Sequence, residues 1–342
     1  MSAGLSQALL KLNQKNSLSP DEMTTAMEWV VSGQAPDAEI EKFLLLLREK
    51  GETVEEIVAA VRVMRKHAVK LSKDYPDLLD TCGTGGDAQS TLNISTLAAL
   101  VACTAGIRVA KHGNRSVSSV SGSADLLSAL GIPLDLSVQS LEASLEKTGF
   151  AFFFAPKFHP ATRFAMPARK KIQGKTIFNI LGPLSNPAGV AYQVVGVYDH
   201  KLVEIVAKAL AELGVKRALV VHGADGVDEI SISSQTTAME LNDGGLKEYT
   251  ITPETCGVLR APMDYLRCRS QEEAKTLALS VLKGRKGAPT DVVSLNAGAA
   301  LYIAGKADSL KCGTSLSHSL LVQGKVYQKL EEIVSFSQNP VG

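Results

Sequence analysis

Residues 80–87 read Asp-Thr-Cys-Gly-Thr-Gly-Gly-Asp and follow the apolar pair Leu78-Leu79. A strand that ends in Gly83, Gly85 and Gly86 leaves a turn almost bare of side chains, so backbone N–H groups can converge on an anion. Many such turns are only turns, and the loop by itself allows either reading. Asp87 closes it, and a carboxylate beside a bound phosphate calls for a cation between them, which points to phosphate held with a divalent metal. Asn93-Ile94-Ser95-Thr96 then precedes the apolar window Leu97–Ala102. These are N-cap residue types at a helix entrance, where first-turn N–H groups and the positive dipole end favour an anion. After a strand predicted over Ile107–Ala110 comes Lys111-His112-Gly113-Asn114-Arg115-Ser116-Val117-Ser118-Ser119, whose cations and hydroxyls around a glycine suit a polyanion. Gly122-Ser123-Ala124-Asp125 opens another apolar helix, ending at Gly131.

Asp228 and Glu229 follow the strand end Val220-Val221-His222-Gly223 after a short turn. Adjacent carboxylates in a turn are often merely solvated, but ligands of α/β proteins gather beyond the ends of parallel strands. Hard oxygens there suit Mg²⁺, which keeps several waters and bridges to substrate phosphate. With Asp87 and the Ser95 hydroxyl, the pair would make a sparse metal site completed by substrate. His112 can act as an acid or base, hydrogen-bond a ligand or brace its turn. Histidines 67, 159, 200 and 318 share no ligand spacing. Gly174-Lys175-Thr176 imitates the end of a P-loop, yet Arg169 stands where that motif needs glycine, and residues 83–88 lack the last glycine of a dinucleotide fingerprint.

The elements that must carry these residues fall into two kinds. Residues 1–72 read as helices only. Ser19-Pro20 starts one with Met23, Ala26, Met27 and Val30 at helical spacing, ended by Gly33. A second, from about Pro36, carries Ile40, Phe43, Leu44 and Leu47 and stops at Gly51. Thr53-x-x-Glu56 is a capping box ahead of Ile57, Val58, Val61 and Met64. From residue 73 short β-branched or aromatic runs alternate with Ala/Leu-rich helical windows. Strands are predicted over Phe150–Phe154, Gln193–Val197 and Ala218–His222, with a helix over Leu202–Leu213. Such alternation gives a mainly parallel sheet. Prolines 160, 167, 183 and 187 interrupt it, so segment 163–188 is expected to leave the sheet and return to the helices.

Composition narrows the function classes. The 342 residues carry 36 Lys plus Arg against 35 Asp plus Glu, with 45% hydrophobic residues. No global basic field recruits nucleic acid or an anionic membrane. Cysteines 82, 103, 256, 268 and 312 are odd in number and include no Cys-x-x-Cys pair, which fits reduced thiols. No stretch reaches the length of a membrane span and the N-terminal residues show no signal peptide, so a soluble cytoplasmic protein is expected.

Taken in order, these motifs resemble the anthranilate phosphoribosyltransferases of tryptophan biosynthesis. The likeness rests on Gly83–Asp87, Asn93–Thr96, Lys111–Asn114, Ser121–Asp125, Asn179-Ile180-Leu181-Gly182-Pro183-Leu184-Ser185-Asn186-Pro187, Asp228-Glu229 and Asn296-Ala297-Gly298-Ala299-Ala300. It implies a fold of the α/β class, nucleoside phosphorylase/phosphoribosyltransferase-like. A small all-helical N-terminal domain (1–72) would stand beside a larger α/β domain (73–342) with a mainly parallel central sheet, the active site between them. It implies transfer of phosphoribosyl from phosphoribosyl pyrophosphate to anthranilate. It also implies two Mg²⁺ per subunit with substrate bound, a homodimer through the helical domains, and anthranilate synthase as a possible partner. By that likeness Gly83, Gly86, Asp87, Thr91, Asn93, Ile94, Ser95, Thr96, Lys111, His112, Gly113, Asn114, Arg115, Ser116, Val117, Ser118, Ser119 and Ser123 would hold the donor. Ser95, Asp228 and Glu229 would bind metal. Gly83, Asn114 and Arg169 would meet anthranilate, with Arg169 on its carboxylate.

Two positions depart from the family pattern: Gln173-Gly174-Lys175 stands where a Gly-x-Arg turn is usual, and Ala88 replaces a glycine. Two other readings stay in view. A pyrimidine nucleoside phosphorylase of related fold also uses a Lys-His-Gly turn, but has less need of paired acidic metal ligands. A nucleic-acid-binding relative should show a basic stripe, and this chain is balanced.

Overall fold

The computed structural model describes residues 3–86, 89–116 and 120–338. Helices Ala3–Asn13, Pro20–Ser32, Asp37–Lys50 and Val54–Lys66 form a first layer. Ser19 with Glu22 and Thr53 with Glu56 close reciprocal capping boxes, and Gly33 ends its helix at φ 74°. The stripes read from the sequence, among them Met23, Met27, Ile40, Phe43, Leu47, Ile57 and Val61, are buried. Each such side chain removed from water stabilises by roughly 1.5–3 kcal/mol. Glu56 is buried too, and its charge is met by Leu18 N, Thr53 N and Lys50 Nζ, each at 2.8 Å.

Seven strands form one sheet: β1 Leu79–Asp80, β2 Val109–Gly113, β3 Phe150–Phe154, β4 Tyr192–Gly196, β5 Arg217–Gly223, β6 Thr236–Asn242 and β7 Gly245–Ile251. Their order is β3-β2-β1-β4-β5-β6-β7. Pairing is parallel from β3 through β5 and antiparallel for β5–β6–β7. The final hairpin turns through Asp243 and Gly244, both left-handed at φ 45° and 84°, the two-residue turn that matches strand twist.

One strand differs from its prediction in a way that matters. The run expected over Ile107–Ala110 lies instead at Val109–Gly113, where each residue pairs with β3 from Phe150 to Phe154. Lys111 and His112 therefore belong to the sheet and not to a turn after it. The pairing of long-range neighbours, with Phe-rich β3 alongside, outweighs the local polarity of Lys-His.

Beyond β3 the chain leaves the sheet through Ala155–Phe158, Pro160–Ala165, Met166–Lys171 and Ile177–Leu184. Ala165, Ala168, Ile172, Ile177, Phe178 and Leu181 pack into the cluster that holds the N-terminal helices. Arg65 donates Nε and Nη2 to the Leu184 carbonyl at 3.0 and 2.8 Å, supplying a partner at that helix end. On the opposite side, helices Ile94–Thr104 and Ala288–Ile303 share a second core with the inner residues of the sheet.

Candidate active site

The loop after β1 is built mainly by backbone, with one side-chain tie from Thr84. Gly85 and Gly86 take φ 64° and 81°, a region that L side chains rarely adopt. Thr84 N donates to Gly196 O at 2.8 Å, and Tyr198 N donates to Thr84 Oγ1 at 3.1 Å. These bonds tie the loop to the end of β4. Gly196 is required by contact: a Cβ there would lie 1.5 Å from Asp228 O, and one on Gly83 would lie 3.2 Å from Asp228 Oδ2. Three segments far apart in sequence thus meet with no room for a methyl group. Asp87 and Ala88, at the loop's edge, lie outside the described residues.

The helix entrance at 93–96 corrects an expectation. Three of its N–H groups are already taken: Ile94 N donates to Leu92 O at 2.7 Å, Ser95 N to Glu229 Oε1 at 3.1 Å and Thr96 N to Asn93 O at 3.2 Å. The anion at this N-terminus is the chain's own carboxylate, favoured there by the helix dipole. Asn93 makes no side-chain cap, its amide donating instead to Ser121 O at 2.8 Å. Ile94 and Thr96 are buried, whereas Asn93 and Ser95 are half-buried. Thr91 bridges to Arg267, and Cys268 N donates to Ser90 O at 2.9 Å, fixing the chain just before this helix. An open cavity of about 780 Å³ lies there, lined by Gln89, Ser90, Val120, Arg267 and Arg269.

Behind the loop lies a buried polar network that the motif reading missed. Asp80 is fully buried; its Oδ1 accepts from Thr81 N and His112 N at 2.7 and 3.2 Å, and its Oδ2 from Asn186 Nδ2 at 2.8 Å. Burial raises its pKa to about 6, against the opposing pull of Lys111 and these hydrogen bonds. Lys111 is 1% exposed, and its Nζ stands 3.3 Å from Thr81 O. This is the loop's inner wall, where its charge acts from behind the glycines. His112 Nδ1 lies 3.0 Å from Gly182 O, which can only accept, so the proton sits on Nδ1. Burial pushes the His112 pKa down to about 3, leaving a neutral ring that braces β2 against the Ile177–Leu184 helix.

The turn after β2 is held by Asp125. Its carboxylate accepts from Ser116 N and Gly122 N, each at 3.0 Å, and pairs with Arg115 Nη1 at 2.9 Å. Burial would raise its pKa, but these partners outweigh burial and hold it below the usual carboxylate range. Arg115 is therefore spent on Asp125. Asn114 O accepts from Ser123 Oγ at 3.3 Å and Ala124 N at 3.2 Å, and Gly113 packs directly under the Ser123 hydroxyl. Val117, Ser118 and Ser119 lie outside the described residues.

Arg169 sits apart from these segments, on the short helix Met166–Lys171. Its guanidinium lies 4.9 Å from the Phe178 ring centroid and Nη1 is 3.8 Å from Met166 Sδ. No carboxylate pairs with it among the described residues. Nearby, Lys175 Nζ stands 3.7 Å from the Tyr198 ring centroid, and a Cβ on Gly86 would come within 2.9 Å of Lys175 Cε. The Gln173-Gly174-Lys175 turn therefore reaches the glycine loop, anchored by Arg48 Nη1 on Gln173 O at 2.9 Å.

No cluster of three or more His, Cys, Asp or Glu residues forms a metal cage among the described residues. The donor set present is two hard carboxylates and the Ser95 hydroxyl around the Gly83 cradle. That set fits a magnesium ion whose remaining ligands come from substrate and water.

Comparison with known proteins adds to this geometry. Two parts of one family match the chain: the glycosyl transferase family a/b domain over residues 75–327 and its helical bundle domain over residues 6–68. Anthranilate phosphoribosyltransferase of Petrotoga mobilis is 46% identical over 329 residues, spanning 96% of both chains. The chain belongs to the anthranilate phosphoribosyltransferase family. Among its solved members, the Thermus thermophilus enzyme gives a TM-score of 0.91 at 41% identity, covering 97% of this chain and 99% of that one. The Saccharomyces cerevisiae anthranilate phosphoribosyltransferase, in complex with PRPP and Mg, gives 0.90 at 25% identity, covering 99% of each.

Within that family fold, a helical bundle beside an α/β unit with a mixed, mainly parallel seven-strand sheet, Asp80, Asn186 and Gly196 went unread in the sequence. Asn186 lay inside the Asn179–Pro187 motif but carried no chemistry of its own until its amide was seen on Asp80 and on Ala110 O, at 2.8 Å each.

Proposed function

We propose that this chain transfers the phosphoribosyl group of phosphoribosyl pyrophosphate to the amine of anthranilate, giving N-(5-phosphoribosyl)anthranilate and pyrophosphate, the second step of tryptophan biosynthesis. The observation that carries this reading is the meeting of three strand-end segments, with Thr84 N on Gly196 O and Glu229 on Ser95 N. The donor is assigned to Gly83 and Gly86, to the end of β2 at Lys111–Gly113 and to the segment that follows it, with Lys111 behind the loop as a fixed positive charge.

Bond making at C1 of the ribose accompanies loss of the C1–O bond, and negative charge gathers on the leaving pyrophosphate. Preorganised N–H groups and Lys111 stabilise that charge in a water-poor site. Ser95, Asp228 and Glu229 are assigned to hold Mg²⁺, two ions per subunit with donor bound. Bound there, the metal supplies positive charge to the departing diphosphate. An aromatic amine is unprotonated at neutral pH, so attack needs no prior proton removal; the one N–H proton lost as the C–N bond forms passes to the departing pyrophosphate or to water. The neutral His112, its Nδ1 engaged by Gly182, is left with a bracing role. Arg169 pairs with the anthranilate carboxylate while Gly83 and Asn114 flank the ring, and orientation against C1 does the rest.

The division into a helical domain over 1–72, rejoined by 163–188, and an α/β domain over 73–342 is supported by the core that the two helical segments share. A homodimer through the helical domains is what the family resemblance implies. A cytoplasmic site of action is supported by five free cysteines. Association with anthranilate synthase follows from the acceptor that such a partner makes.

The test is loss of anthranilate fluorescence on adding phosphoribosyl pyrophosphate, with and without Mg²⁺, beside thymidine or uridine with phosphate. The proposal expects loss only when donor and metal are both present. Phosphorolysis of a nucleoside without anthranilate consumption would overturn it.

A further inference from the structure

Behind the acidic turn stands Asn296, midway along the helix Ala288–Ile303 and 2% exposed. Its amide is fully committed. Oδ1 accepts from Ile230 N at 2.9 Å, while Nδ2 donates to Ile230 O and to Val292 O, each at 3.0 Å. Meeting both backbone groups of one residue does what a strand partner does: it fixes the place and the plane of the peptide that follows Glu229. The bond to Val292, one turn back, sets the amide's own orientation.

Other bonds of the acidic turn tie it to itself, to β6 and to Gln89. Asp225 accepts from Ser231 Oγ at 2.6 Å, and Ser231 N donates to Thr236 Oγ1 at 2.9 Å. Asn296 links the turn to a helix packed against Ile94–Thr104, the helix whose first turn meets Glu229. It also borders the small cleft lined by Thr81, Gly83, Ser95, Gly196 and Glu229. Asn296 thus couples Ile230, next to Glu229, to a helix packed against the one that carries Ser95.

We propose that Asn296 is the positioning residue of the acidic pair: acting through Ile230, it presets Asp228 and Glu229 for metal and donor. This rests on the assignment of those carboxylates to Mg²⁺ given above. Asn296→Asp keeps the size and the acceptor but loses both donated bonds, and Asn296→Ala removes all three. The readouts are the Mg²⁺ dependence of activity, Mn²⁺ binding in the presence of phosphoribosyl pyrophosphate by electron paramagnetic resonance, both KM values and Tm.

Weakening of Mn²⁺ binding and a rise in the Mg²⁺ requirement of at least tenfold are expected, with the KM for anthranilate within twofold. Ser294→Ala loses a buried bond to Thr290 O on the same helix and is expected to lower Tm without moving the metal dependence. Asn296 variants that shift metal binding no more than Ser294→Ala overturn the proposal. Glu229→Gln separates the two levels. Unchanged metal dependence there removes the metal assignment itself, whereas a shift there with none in the Asn296 variants removes only the positioning role. Should both Asn296 variants fail to fold, amide exchange at Ile230 in the unaltered protein decides. Slow exchange without metal or donor supports a preset turn, and protection that arises only on adding them contradicts it.

Discussion

The glycine loop after β1 and the short helix that carries Arg169 are held by opposite means. The loop is fixed by backbone bonds and by sterics, with Thr84 N on Gly196 O and Gly196 pressed against Asp228 O. Its geometry belongs to the fold. Arg169 is positioned by packing alone, its guanidinium over Phe178 and no carboxylate beside it among the described residues. Burial pulls its pKa below the ordinary guanidinium value, and a half-buried cation without a carboxylate awaits an anionic partner. One side of the site is therefore fixed by backbone and intolerant of an added atom at Gly196, whereas the other rests on one replaceable side chain. The Ile177–Leu184 helix connects them, carrying Phe178 under Arg169 and Gly182 against His112.

Substitutions sharpen this contrast. The largest effect is expected for Gly196→Ala, whose Cβ would meet Asp228 O at 1.5 Å. Because that neighbour is backbone, relief needs strand and turn to separate, at about 1–3 kcal/mol or more. The KM for the donor should rise more than a hundredfold and Tm should fall; a fully active variant would show that the loop is not sterically fixed. Arg169→Ala comes next. Losing a charge-assisted hydrogen bond of roughly 1.5–3 kcal/mol should raise the KM for anthranilate about 10–100-fold. Donor KM and Tm should stay near their original values, and an unchanged KM for anthranilate would remove Arg169 from the acceptor site.

The smallest effect concerns the connection. Burial lowers the pKa of His159 to about 4, and its ring packs 5.2 Å from that of His112. The unfolded chain protonates such a group near pH ~6.5, so between about pH 6.5 and 4 the unfolded state binds the proton that the folded state refuses. The stability this neutral ring contributes is present above that window and lost as pH falls through it. Thermal melts of His159→Phe should decline less steeply across the window, with activity at neutral pH within twofold. An identical decline would place the acid sensitivity elsewhere.

What could be read from the sequence follows the same divide. Capping boxes at Ser19 and Thr53, the helical stripes and the glycine loop are local patterns, and local patterns carry their own physics. The Asn242-Asp243-Gly244-Gly245 hairpin signal is equally local. Illegible features depend on distant partners. Ser95 and Glu229 are 134 residues apart, Asp80 and Asn186 106 apart. Residue types at 93–96 suggested open N–H groups, and nothing nearby in the chain revealed that Glu229 would return to occupy one. Gly196 read as an ordinary strand residue until the turn at Asp228 was placed across it. Lys111 shows the same limit, since only its pairing with β3 puts it inside the sheet.

The central claim is that the diphosphate of the donor docks on the loop formed by Gly83–Gly86, beside Ser95 and the acidic pair. A crystal of the protein grown with phosphoribosyl pyrophosphate and Mg²⁺ tests it most directly. The account predicts density for the diphosphate against the loop amides, with metal between it and Asp228 or Glu229. Diphosphate seated elsewhere, or no donor bound at saturating magnesium, would contradict it.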